Sequence, residues 1–117
     1  MDAMPIDFAQ ELSGWSAQLK SCKSTILSAN KRMMELPQGG TAIGTGVNSH
    51  KNFSKNFCEA LDKVSGLKVK PVSNFFQGLS SQDNAAELSS ALKNLSLVLM
   101  KICNDLRWMN SGPLTGL

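Results

Sequence analysis

The stretch from Ile6 to Glu35, IDFAQELSGWSAQLKSCKSTILSANKRMME, decides the fold class of this chain. Its apolar residues recur at alternating steps of four and three positions, at Phe8, Leu12, Trp15, Leu19, Cys22, Ile26, Ala29 and Met33. This spacing places them along one side of an α-helix. Pro5 suits the first turn of such a helix, and Pro37 ends it. The sequence therefore predicts one long amphipathic helix over residues 6–35.

Two further helices are predicted downstream. The first is indicated by the apolar residues Phe53, Phe57, Leu61 and Val64. It covers about residues 50–65, with Asn48 or Ser49 as its N-cap and Gly66 at its end. The second follows steps of four and three through Leu88, Leu92, Leu95, Leu99, Ile102, Leu106 and Met109. It covers about residues 81–110 and ends before Gly112 and Pro113.

Residues 68–76 lie between these two helices and are predicted to form a loop. The short alternation at Leu67 and Val69 runs directly into Pro71. A proline cannot donate a hydrogen bond to a neighbouring strand, which argues against a central strand here. The chain is therefore predicted to be all-α.

The helix at residues 81–110 is apolar on more than one stripe, because Leu97, Val98 and Met100 widen its apolar face. A helix of this kind is normally surrounded by other helices. Helices of about 28 residues are roughly 42 Å long, which is longer than a compact domain of this size. We therefore interpret residues 1–117 as a single partial domain, cut at both ends, that packs against further helices in a homo-oligomer.

Composition and charge exclude several classes of protein. Apolar residues make up 42% of the chain, which is typical of a folded protein. The net charge of +3 comes from basic residues interleaved with acidic ones, so a nucleic acid is not an expected partner. No segment approaches the roughly 18 consecutive apolar residues of a membrane span, so a membrane is not an expected partner either. The three cysteines are widely spaced and the chain has one histidine. We therefore expect no disulfide framework, no metal site and no cofactor. The start lacks a targeting signal, and a cytoplasmic location is expected.

Gly39-Gly40-Thr41-Ala42-Ile43-Gly44-Thr45-Gly46-Val47-Asn48 is the most distinctive motif. A phosphate-binding P-loop requires Lys and then Ser or Thr after its last glycine, and the dinucleotide fingerprint requires a third glycine and a preceding strand. Both requirements fail here. Two interpretations stay open from the residues alone: a helix-to-helix connection, or a loop that lines a pocket with Thr41, Thr45 and Asn48 as hydrogen-bonding side chains.

Three other residues attract attention but favour structural interpretations. His50 is a candidate general base, yet no carboxylate or nucleophile stands beside it in the sequence, which favours a surface role. Trp15 and Trp108 fall on or near the apolar stripes and are predicted to be packing residues.

The glycine-rich motif resembles the Gly-Gly-Thr-Ala-x-Gly-Thr-Gly-x-Asn signature of class II fumarases and the related aspartases. Two further segments match in the same order. The first is Asp2 to Pro5 with Gln10-Glu11 and Ser13-Gly14, and the second is Lys101 to Arg107 with Ser111-Gly112-Pro113. The segment from Trp108 to Leu114 is more similar to fumarase. The resemblance implies the central helical-bundle domain of the fumarase/aspartase fold, in a homotetramer that hydrates fumarate reversibly to L-malate in the tricarboxylic acid cycle.

The departures from the family pattern concern catalysis. The family's Thr-His pair, its upstream Ser and Asn cluster and its Gly-Ser-Ser-x-Met-Pro-Gly-Lys-x-Asn loop have no counterpart among these 117 residues. No catalytic residue is therefore assigned, and the chain alone is expected to be inactive. The alternatives are a segment of an aspartate ammonia-lyase and a non-catalytic helical assembly module.

Overall fold

A computed structural model describes residues 3–116. It contains four helices, α1 (Phe8–Met33), α2 (Phe53–Ser65), α3 (Phe75–Ser80) and α4 (Asp83–Met109), and two short strands, β1 (Glu35–Leu36) and β2 (Lys70–Pro71). Helices α1, α2 and α4 lie within the three predicted ranges and are each slightly shorter. None of the helices between residues 3 and 116 combines the length and apolarity needed to cross a membrane.

The chain divides into two compact units. The terminal unit combines the residues up to Leu27 with those from Ser89 onward, and the middle unit is Ser28–Leu88. Long helices α1 and α4 each contribute residues to both. The interpretation of the chain as a single partial domain stays a prediction.

Helix α1 begins with a reciprocal cap rather than with a proline. The N–H of Gln10 donates to Asp7 Oδ1 at 2.8 Å, and the N–H of Asp7 donates to Gln10 Oε1 at 3.0 Å. This arrangement satisfies two backbone donors that have no partner inside the helix. The prediction that Pro5 occupies the first turn is therefore wrong, because the helix begins only after Asp7.

In the terminal unit, α1 and α4 lie side by side and antiparallel. The ammonium of Lys101 on α4 lies 3.2 Å from Glu11 Oε1 and 5.8 Å from the ring centroid of Trp15, both on α1. Lys101 also forms an ion pair with Asp105, one turn further along α4. The hydrogen bond to Asp105, together with Glu11, raises the pKa of Lys101.

The face that α4 buries in the terminal unit differs in part from the predicted one. Its less exposed residues follow one stripe: Ala91, Leu95, Val98, Ile102, Asp105 and Met109. Leu92, Leu99 and Leu106, which the prediction placed on the buried stripe, are 44–48% exposed. The two stripes have the same spacing and share Leu95, Ile102 and Met109, while their other members differ by one position, so periodicity alone does not distinguish them. Trp108, predicted to pack, is 78% exposed, and this prediction is wrong.

In the middle unit, β1 and β2 form a parallel pair with Glu35 opposite Lys70. The N–H of Lys70 donates to Met34 O at 2.9 Å, and the N–H of Val72 donates to Leu36 O at 3.0 Å. The missing N–H of Pro71 falls between these donors and is not needed. The predicted loop over residues 68–76 is therefore wrong at this strand, because both strands of a two-stranded pair are edges, where proline is tolerated.

Helix α3 is a second feature that the predicted loop missed. Asn74 caps it, accepting a hydrogen bond from the N–H of Gln77 at 3.2 Å. Six residues are too few to produce a helical repeat in the sequence, and Gly78 weakens helix propensity further. Phe75 and Leu79 of this helix pack closely against Gly40 of the glycine-rich loop.

Helix α2 has Asn52, not Asn48 or Ser49, at its N-cap position, and the Asn52 side chain makes no capping hydrogen bond. Gly66 ends the helix with φ 72°, and its N–H donates to Asp62 O at 2.9 Å, as the prediction of a glycine end required. Cys58 is the buried residue of α2. Burial, followed by the nearby Asp62 charge, raises the pKa of its thiol, so Cys58 is suited to packing rather than to nucleophilic chemistry.

At the other side of the middle unit, Arg32 lies between two carboxylates of α4. Its guanidinium is 2.5 Å from Glu87 Oε2 and 3.7 Å from Asp83 Oδ2. The hydroxyl of Ser81 donates to Asp83 at 2.5 Å. This hydrogen bond, with the charge of Arg32 as a smaller contribution, lowers the pKa of Asp83. The cluster marks where α1 ends and α4 begins.

Candidate functional site

The glycine-rich loop, residues 39–48, is held in a compact form by its own backbone. The carbonyl of Gly40 accepts from the N–H of Gly44 at 2.9 Å and from the N–H of Gly46 at 3.0 Å. The N–H of Ser49 then donates to Gly46 O at 3.0 Å. The loop thus folds back on itself instead of connecting α1 and α2 by an extended path.

Two glycines of this loop are required because α3 approaches it closely. A Cβ atom on Gly40 would lie 2.9 Å from Leu79 Cδ1 and 3.0 Å from Phe75 Cδ1. On Gly44, where φ is +105°, it would lie 2.9 Å from Phe76 Cδ1 and 3.0 Å from Phe76 N. Only glycine fits the space at position 44 and also adopts this backbone conformation without strain. The motif therefore serves, in part, to let α3 pack against the loop.

Two non-glycine residues of the loop have a left-handed backbone conformation. Thr41 has φ 57° and Asn48 has φ 63°. Asparagine adopts this conformation readily, whereas for a β-branched residue such as Thr41 it costs about 1–2 kcal/mol. Residues held in such conformations cluster at functional sites, so the backbone supports Thr41 as a candidate site residue.

The three predicted pocket-lining residues border two neighbouring cavities of the middle unit. Thr41 and Asn48 line a cavity of about 480 Å³, here called the Thr41 cavity. Thr45 lines a second cavity of about 380 Å³, here called the Thr45 cavity. Gly39, Ser49 and His50 border both cavities. All three predicted side chains are exposed, and their role as pocket-lining residues that contact a ligand stays a prediction.

His50 joins the two cavities, which the sequence did not indicate. Its Nδ1 accepts a hydrogen bond from the backbone N–H of Asn52 at 3.2 Å, and its carbonyl accepts from the N–H of Phe53 at 2.8 Å. The residue thus helps to start α2. The only sequence signal was the position of a lone histidine directly after the glycine-rich motif.

The chemistry available at this site is hydrogen bonding and positive charge. Hydroxyls come from Thr41, Thr45 and Ser49, an amide from Asn48, an imidazole from His50, and the positive charge from the ammonium of Lys51. Over residues 3–116 there is no group of three or more His, Cys, Asp or Glu side chains placed to hold a metal ion. This donor set suits an anionic or oxygen-rich ligand.

Comparison with known proteins identifies the family. The model of a lyase family, described as "Lyase", matches residues 1–117. The chain belongs to this lyase family. It is 49% identical over 117 residues to the class II fumarate hydratase of Xylella fastidiosa (strain Temecula1), and 47% identical to class II fumarate hydratase 2 of Pseudomonas aeruginosa. These alignments cover the whole of the lyase-family chain and 25% and 26% of the relatives.

Solved structures agree with these sequence relatives. The crystal structure of class II fumarase from Schistosoma mansoni superposes with a TM-score of 0.89 at 32% identity, over 97% of this chain and 27% of that one. The fumarate lyase:delta crystallin from Brucella melitensis, solved bound to cobalt, gives a TM-score of 0.87 at 30% identity. The predicted all-α fold and the resemblance to class II fumarase are confirmed. The lyase chain spans about a quarter of the length of the curated relatives it matches.

Proposed function

We propose that this chain is the central segment of a fumarate hydratase whose complete form adds water reversibly to fumarate, giving L-malate. The observation that carries the proposal is the 49% identity to a class II fumarate hydratase, which extends over all 117 residues. We place the complete enzyme in the cytoplasm and in the tricarboxylic acid cycle, as a homotetramer. The segment supplies long helices and the glycine-rich loop.

Hydration of fumarate needs a base that activates water and donors that stabilise the carbanion-like state formed at the neighbouring carbon. The Thr-His pair and the Gly-Ser-Ser-x-Met-Pro-Gly-Lys-x-Asn loop of the family do not occur in these 117 residues. In the complete enzyme, other segments supply those groups. Thr41, Thr45 and Asn48 then line a pocket close to the substrate.

The test replaces the aligned quarter of the Xylella fastidiosa enzyme with this chain. We expect the chimera to consume fumarate at a rate within about tenfold of the parent, because the exchanged segment keeps the helices and loop. The consumption of fumarate is measured by ultraviolet absorbance. The isolated chain serves as the matched control and should show no turnover. A folded chimera without activity, or an isolated chain as fast as the whole enzyme, would contradict the proposal.

We also propose that the chain associates with further copies of itself through α4. Leu92, Leu99 and Leu106 form an exposed apolar stripe, with each side chain 44–48% exposed. An apolar stripe of this length on a helix is covered by other helices in soluble assemblies. The occupant in this proposal is the same helix of a second copy.

Light scattering at micromolar concentrations is expected to show oligomers for the natural chain and a shift toward monomer for Leu99→Gln. Leu97→Gln is the matched control, since Leu97 is 51% exposed but lies about 200° around the helix from Leu99. A natural chain that stays monomeric throughout this range would refute the association. Equal effects of both substitutions would show that the stripe is not the interface.

A further inference from the structure

The Thr45 cavity has a polar lining with no negative charge. Among the described residues, the side chains that border it include Thr45, Ser49, His50, Lys51 and Ser54, and no Asp or Glu. The lining thus provides hydrogen-bond donors and one fixed cation.

The tautomer of His50 is set by the backbone. Because Nδ1 accepts the N–H of Asn52 at 3.2 Å, Nδ1 carries no proton in the neutral imidazole. The proton therefore resides on Nε2, which becomes a hydrogen-bond donor. Within residues 3–116 no protein group accepts a hydrogen bond from it, and His50 borders the Thr45 cavity.

The positive character of the cavity has two sources. Lys51 carries an ammonium on an exposed side chain at the cavity wall. The first turn of α2 has no acidic residue, and the side chain of Asn52 does not cap it. The partial positive charge of that helix end is therefore not neutralised locally. Lys51 and the His50 donor are the features that distinguish this cavity from an ordinary helix start.

The hydroxyl of Ser54, at the start of α2, adds an unmet hydrogen-bonding group. Its oxygen is buried and has no hydrogen-bond partner among the described residues. Ser54 also borders the Thr45 cavity. A buried hydroxyl without a partner costs free energy, so a small rearrangement of this wall that gives the hydroxyl a partner is favourable.

We propose that the Thr45 cavity binds a small carboxylate, with the Nε2–H of His50 and the ammonium of Lys51 as its principal contacts. A carboxylate accepts hydrogen bonds at both oxygens and pairs with a cation, which matches this donor set. The choice of a carboxylate over another small anion rests on the proposed function, whose substrate and product are dicarboxylates. The assignment gives His50 and Lys51 a binding role that the glycine-rich motif alone does not include.

The test is an NMR titration of the isotope-labelled chain with sodium fumarate, at ionic strength held constant with sodium chloride. Saturable shifts are expected at the amides of His50, Lys51 and Ser54. Lys51→Gln should weaken the apparent affinity about threefold to fivefold, as expected for one exposed ionic contact. Lys63→Gln removes the same charge at the far end of α2, about 18 Å away, and should leave the affinity unchanged.

Several outcomes would overturn the inference. These are the absence of saturable shifts, equal losses in Lys51→Gln and Lys63→Gln, or binding of sulfate as tight as that of fumarate. An imidazole nitrogen spectrum with the proton on Nδ1 would also contradict it. The proposed function fails separately, because an active chimera without carboxylate binding by the chain refutes only the cavity assignment. Carboxylate binding by the chain with an inactive chimera refutes only the hydratase.

Discussion

Gly44→Ala is expected to lower the free energy of unfolding by about 3 kcal/mol. The backbone of Gly44 has φ +105°, which alanine rarely adopts, and the added Cβ would lie 3.0 Å from Phe76 N and 3.1 Å from Phe75 C. These are backbone atoms of α3, so the conflict cannot be relieved by rotating a side chain. Urea denaturation followed by far-ultraviolet circular dichroism measures the loss.

Gly14→Ala provides the matched control, with an effect of the opposite sign. Gly14 lies within α1 and has no other atom within 4 Å of an added Cβ. Alanine there should stabilise the chain by about 1 kcal/mol, because it restricts the unfolded backbone and favours the helix. Both variants should be compared at one protein concentration, since association raises apparent stability. A Gly44→Ala chain as stable as its parent would show that the loop does not pack against α3 as described.

Trp15→Ala is expected to lower the free energy of unfolding by about 3–5 kcal/mol. Trp15 is 7% exposed, and its indole N–H donates to Glu11 Oε1 at 2.8 Å. The ammonium of Lys101 lies over its ring, so the substitution also removes a cation–π contact. The loss arises because removal of the large buried ring leaves a cavity. The other buried residues of this unit are small and cannot fill it. Thermal and urea denaturation both report this change.

Trp108→Ala tests whether burial, rather than residue type, determines that effect. Trp108 is 78% exposed, and its removal should change the free energy of unfolding by no more than about 0.5 kcal/mol. Each variant also keeps one tryptophan as a fluorescence reporter. Emission should be at shorter wavelength in Trp108→Ala, where Trp15 remains, than in Trp15→Ala. Similar spectra and similar losses would contradict the burial assigned to these two residues.

The long helices were predictable because their signals are local and repeated. In α1 the apolar spacing continues from Phe8 to Met33, and that range lies inside the predicted one. Glycine ends are equally local, as Gly66 shows with its left-handed backbone. The family could also be predicted, because the motif from Gly39 to Asn48 is specific in its order of residues. Its relatives confirmed that resemblance.

The candidate site was predictable only in part. Thr41, Thr45 and Asn48 were selected as hydrogen-bonding side chains, and they border two cavities of the middle unit. The place of His50 between the cavities was not predictable, because it depends on the turn that leads into α2. Its hydrogen bond with the N–H of Asn52 forms only when that turn is folded.

By itself, the sequence determined that the chain is helical, where its long helices run and which family it belongs to, because these properties depend on spacing along the chain. The tertiary structure alone decided that α4 buries Ala91 and half-buries Val98 in the terminal unit while Leu92 and Leu99 stay exposed. It also decided that residues 70–71 pair with β1 and that residues 75–80 form α3. These features depend on contacts between residues far apart in sequence, so no local pattern contains them.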